Sequence, residues 1–129
     1  MSKRPKLTVV SAREMPFEEL VLEADRIVEQ YAAPDGMETE PERMERLSRS
    51  IDELPDVYRW FLSLESYFDH WTDAMADMHG RNANEYKAMR QRRDAMKNAA
   101  SFAKRRYEGS SRLVTMILGQ DPEQMPRGR

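Results

Sequence analysis

The residue spacing between Asn84 and Leu118 constrains this chain more than any other feature in it. Tyr86, Met89, Arg93, Met96, Ala100, Ala103, Tyr107, Ser110, Val114 and Ile117 recur at alternating steps of three and four. That period places them along one seam of a helix, and a strand cannot produce it. The seam is unusual because Ala100 and Ala103 are small, Arg93 and Ser110 are polar, and Ala95 and Ala99 flank the line. Small residues let a partner helix approach closely. The same stretch is basic: nine Lys and Arg face only Glu85, Asp94 and Glu108, a local charge of +6.

A complementary surface precedes it. Val57, Tyr58, Phe61, Leu64, Phe68, Trp71, Met75 and Met78 form a bulky helical stripe, widened by Leu62 and Tyr67. Bulky residues on one helix and small ones on the next are what a knob-and-hole pair of antiparallel helices requires. Gly80 to Asn84 supplies the turn: Gly80 can close the first helix, and Asn82 with Glu85 has capping-box spacing for the second. One uninterrupted helix would expose the aromatic face unless an oligomer covered it, so the hairpin is the expected arrangement.

Upstream, Phe17, Leu20, Val21, Ala24, Ile27, Val28 and Tyr31 predict a first helix over Pro16 to Ala32. Its opposite face is acidic. Pro34-Asp35-Gly36 marks a turn, and Thr39 three residues before Glu42, with Pro41 between them, reads as a capping box at a helix start. Met44, Leu47, Ile51 and Leu54 continue that helix to Pro55, which is expected to interrupt or kink it. The expected fold is therefore all-α: a long antiparallel helical hairpin with an additional N-terminal helix, assembled into a helical oligomer. Residues 1–15 read as a flexible basic arm, 16–118 as one domain with its hairpin turn near 80–84, and 119–129 as a flexible tail.

Composition narrows the function. A chain of 129 residues is one domain of modest core. Absent cysteines exclude disulfides, thiol nucleophiles and thiolate metal sites. No apolar run approaches the length of a membrane span, and no signal segment follows the basic start, so a cytoplasmic protein without membrane contact is expected. The net charge of −2 conceals a strong asymmetry, with −10 over residues 14–56 and +7 over residues 81–112. Such asymmetry means either neighbouring helices that complement each other or a patch for an external partner.

Catalytic chemistry has little to stand on. Asp69, Asp73 and Asp77 repeat every four residues beside His70, and Glu42, Glu45, Glu53 and Asp56 pair at short range. Neither set makes an HExxH or paired Glu-x-x-His arrangement, and no phosphate-binding glycine loop is present. No enzyme activity, metal or cofactor is expected. Nucleic acid has a better physical basis, since Arg81, Lys87, Arg90, Arg92, Lys97, Lys104 and Arg105 extend along a rod that phosphates could follow. Single-stranded binding without strong sequence specificity fits, because no duplex-reading motif accompanies the helix. Phe102, Tyr86 and Tyr107 could stack bases, although the two tyrosines lie on the packing seam.

The alternative is a protein–protein interaction module, such as an assembly adaptor or inhibitor, without nucleic-acid binding. Trp60, Phe61, Tyr67, Phe68 and Trp71 offer more aromatic surface than one hairpin hides, with Tyr86, Ala100, Ala103 and Tyr107 opposite them. Trp60 lies off the main stripe. It is the sharper interface candidate of the two tryptophans, and self-association is the first expectation.

Overall fold

The computed structural model describes residues 9–119. They form four helices: α1 (Val9–Glu14), α2 (Phe17–Glu29), α3 (Glu40–His79) and α4 (Asn84–Gly119). At 1.5 Å per residue α3 is roughly 60 Å long and α4 roughly 54 Å. They pack against each other as an antiparallel hairpin, and Arg93 of α4 reaches Asp69 of α3 across it. The fold is all-α, a long helical hairpin with two short N-terminal helices.

Local chemistry sets the ends of α3. The Thr39 hydroxyl accepts from the Glu42 amide at 3.2 Å and the Glu42 carboxylate accepts from the Thr39 amide at 2.9 Å, so the capping box is complete. At the other end Gly80 has φ 87°, a left-handed geometry that a side chain would strain. Its amide donates to the Ala76 carbonyl at 2.9 Å, and its own carbonyl accepts from Ala83 at 3.2 Å. The first bond of α4 runs from Lys87 N–H to the Ala83 carbonyl. Ala83, rather than the expected Asn82, therefore stands at the N-cap position.

Two expected boundaries move. Pro55 lies inside α3 without ending it. A proline there forgoes one backbone bond and costs about 3 kcal/mol. Leu54 before it and Phe61 and Leu64 after it are fully buried and keep both segments on the same core. The helix expected over Pro16 to Ala32 runs Phe17–Glu29. Pro16 is its N-cap, accepting from the Leu20 amide, while Tyr31 and Ala32 follow in a turn closed onto Val28 and Glu29.

The N-terminal segment divides. Residues 1–8 lie outside the described residues, whereas Val9–Glu14 is helical and Ala12 is fully buried in the core. The expected tail falls almost wholly outside the described residues, since α4 runs to Gly119.

Two polar contacts fix how α2 lies on the hairpin. Arg92 donates to the Met15 carbonyl and Arg106 to Glu29, each across 77 residues, so α2 runs parallel to α4. Arg13 meets Tyr67 and the Tyr31 hydroxyl donates to Glu53, which makes the same segment antiparallel to α3. The three helices share one core. Leu20, Ala24, Ile27 and Val28 of α2 pack with Leu54, Phe61, Leu64 and Phe68 of α3 and Met96, Ala99, Ala100 and Ala103 of α4. Ala100 and Ala103 of α4 share this core with Phe61 and Phe68 of α3, whereas Ala95 and Ala99 also line the groove toward α2. Buried hydroxyls inside α3 are satisfied locally, Ser50 by the Arg46 carbonyl and Thr72 by the Phe68 carbonyl.

Candidate nucleic-acid interface

The basic residues of α4 separate into two groups once the helix is packed. Arg92, Arg93 and Arg106 turn inward and are engaged. Arg92 donates to the Met15 carbonyl at 2.7 Å and the Ala88 carbonyl at 3.3 Å, and burial pushes its guanidinium below its ordinary value against the pull of Glu18. It fastens the junction of α1 and α2 to α4. Arg93 is half-buried between Asp94 at 3.1 Å and Asp69 at 3.3 Å. Burial opposes its charge, but the two carboxylates outweigh burial and raise it. Arg106 bridges to Glu29 at 3.1 Å.

Lys87, Arg90, Lys97, Lys104, Arg105 and Arg112 are all exposed. None has a carboxylate within salt-bridge distance among the described residues. At 100° per residue these six fall on the side of α4 opposite Met96, Ala99 and Ala103, together with Ser101 and the carboxylates Asp94 and Glu108. The distribution is thus one outer face, spanning roughly 38 Å from Lys87 to Arg112 at 1.5 Å per residue. Of the other basic candidates, Arg81 stands exposed in the turn with its guanidinium 5.9 Å from the Tyr86 ring, whereas Arg92 is withdrawn from the face.

Lys97 also borders a polar cleft of about 440 Å³ between α3 and α4, lined with Glu65, Asp69 and Arg93. Acids there compete for its charge, as do Glu108, four residues from both Lys104 and Arg112, and Asp25 and Glu29 in the hollow beside Arg105.

The expected aromatic interface is mostly interior. Phe61 and Phe68 are fully buried, as are Ala100 and Ala103, while Tyr86 and Tyr107 are half-buried on the hairpin seam. Trp60, Tyr67 and Trp71 share one side of α3 by their spacing of seven and four, and all three are half-buried, Trp60 and Tyr67 of them against the core. The Arg13 guanidinium sits 4.9 Å from the Trp71 ring and donates to the Tyr67 hydroxyl at 3.4 Å. Phe61 and Phe68 are therefore used within the chain, while Trp60, Tyr67 and Trp71 keep part of their surface exposed.

Exposed apolar side chains occur elsewhere. Phe102 is 48% exposed, and Leu113, Met116 and Leu118 are exposed near the end of α4, beside no helix corresponding to α2. Phe102, Leu113 and Met116 share an edge of α4 at steps of eleven and three, which was a readable signal for an uncovered stripe. Among the described residues, no group of three or more His, Asp or Glu side chains converges to hold a metal ion. Asp69, Asp73 and Asp77 are exposed, and Asp69 is engaged by Arg93. Among the described residues no helix is long and apolar enough to cross a membrane.

No protein-family model matches the chain, and no curated protein or solved structure is detectably similar to it. The chain is a small all-α domain with a row of exposed cations on the outer face of α4.

Proposed function

We propose that this chain is a non-enzymatic binding protein that holds single-stranded nucleic acid along the outer face of α4. The observation that carries the reading is the sorting of the α4 cations. Three are consumed by packing, and six remain on one exposed face without a carboxylate partner among the described residues. A row of that length and sign attracts a polyanion and releases its counterions, and it makes no demand on base sequence. Self-association belongs to the same reading, supported by Leu113, Met116 and Leu118 at the end of α4, since joining two copies would lengthen the basic track.

Anisotropy of labelled short DNA and RNA single strands, titrated with the purified protein over a range of salt, tests this. If all six cations meet phosphates, log K against log salt should fall with a slope of about −4. Replacing Arg90, Lys104, Arg105 and Arg112 by glutamine should weaken binding to every sequence alike and flatten the slope. Absence of binding at low salt would reject the reading in favour of a protein-only interaction module.

A further inference from the structure

Among the described residues Phe102 is the only exposed aromatic; every other Phe, Tyr and Trp is buried or half-buried. It lies one turn from Arg105, whose guanidinium is 5.4 Å from its ring, at the border between the outer basic face of α4 and the groove with α2. On either side of the ring is a shallow hollow. One, of about 490 Å³, is bounded by Val28, Glu29, Arg105 and Arg106, and the other, of about 370 Å³, has Val21, Ala95 and Ala99 for walls and Gln91 and Asn98 at its edge.

We infer that Phe102 is a stacking platform for an unpaired nucleobase, with the strand's phosphates on the outer face of α4 and its bases turned toward α2. The inference rests on the polyanion reading of α4. Its chemistry follows from the two edges of the groove. On the α4 side lie exposed cations for phosphate. On the α2 side Asp25 repels phosphate, while Glu29 is engaged by Arg106, and this favours the backbone on the opposite edge. A base crossing from one to the other meets a flat apolar ring, with a guanidinium already stacked at its margin and carboxamides of Gln91 and Asn98 within the adjoining hollow. Every base has a π-face, so stacking adds affinity without sequence preference. A duplex keeps its bases enclosed and cannot use the ring. The protein should therefore hold single strands in preference to duplex.

A short single strand carrying one 2-aminopurine, and the matching duplex, provide the test with the full chain. The wild type should alter the fluorescence of the single-stranded probe. Phe102→Leu should lose about 5- to 100-fold in single-strand affinity while duplex affinity and the salt slope stay as they are. Phe102→Trp should restore binding. Circular dichroism of both variants checks that the helices persist, which is expected at a half-exposed site. Single-strand binding unchanged in Phe102→Leu overturns the inference, as does equal loss for single strand and duplex. A shift from dimer to monomer on sedimentation, with oligonucleotide binding intact, overturns it in favour of a contact between copies. If the wild type binds no oligonucleotide, the basic-face reading itself fails and the inference falls with it.

Discussion

The hairpin is built differently at its middle and at the end that holds the α3 N-terminus and the α4 C-terminus. Between Arg92 and Arg106, α4 lies under α2 as well as against α3, and Met96, Ala99, Ala100 and Ala103 are all buried. Past Arg106 the cover stops. Leu47, Ser50 and Ser110 remain buried there, but Met44, Leu113, Met116 and Leu118 are exposed. The same heptad-like pattern therefore makes a three-helix core in one place and an open two-helix strip in another. Most of the stabilising burial is expected in the middle, with the open end held by local polar devices.

The sharpest way to break that comparison is to cut into the covered middle. Phe68 is fully buried and makes an edge-on contact with Tyr67 at 5.3 Å between ring centroids. Phe68→Ala should cost about 3–5 kcal/mol, a large share of the stability of a domain this size. Urea denaturation followed by circular dichroism would measure it, and a loss under 1 kcal/mol would show that α2 does not complete a core.

Overfilling the same region should cost less. Ala103 is fully buried on the shallow side of the seam, so Ala103→Leu forces α3 or α2 outward at about 1–3 kcal/mol. The same measurement should find no gain. A stabilised variant would mean that the alanines are not the close-approach surface.

How much of this arrangement the sequence disclosed depends on where a residue's partners come from. The α4 seam was legible because its spacing depends only on helix geometry, and all ten of its residues are shielded in the structure. Thr39 and Glu42 were legible for a similar reason, since a capping box is local chemistry. Trp71 was not, because Arg13 of α1 reaches its ring, and periodicity in α3 says nothing of what lies above it. At Pro55 the expected interruption is absent, because burial on both sides of it carries the helix through. The α4 cations were legible as a group, but Arg92 and Arg106 became inward-facing only once α2 was placed. Which of them face outward is a tertiary fact.

The open end has its own prediction in acid. Glu38 takes two hydrogen bonds from Arg46, at 2.8 and 3.0 Å, and ties the loop before α3 onto that helix. Those bonds hold its carboxyl below the usual carboxylate value. A lowered folded-state value contributes stability above the ordinary value, and that contribution disappears as pH falls through the folded one. Thermal midpoints should therefore drop more steeply in acid for the wild type than for Glu38→Gln. Parallel curves for the two proteins would show that the ion pair contributes nothing to folding.

A glycine in the open segment makes a smaller test of opposite sign. A Cβ at Gly109 would meet no other atom within 4 Å, and the residue lies inside α4 without a positive φ. Gly109→Ala should stabilise by about 0.5–1 kcal/mol through helix propensity alone. Destabilisation would mean that something in solution occupies the space beside it, which a concentration series would identify as a second copy if the midpoint rises with protein concentration.

The smallest expected effect is at Met116, which is 61% exposed. In an isolated chain Met116→Gln removes little buried surface and should change stability by less than about 0.5 kcal/mol. If copies associate through this strip, the same substitution should lower the midpoint at high concentration and leave it unchanged at low concentration, because only the associated state loses contact. The contrast with Phe68 then becomes quantitative: one side chain matters at every concentration, and the other matters only when a second molecule is present.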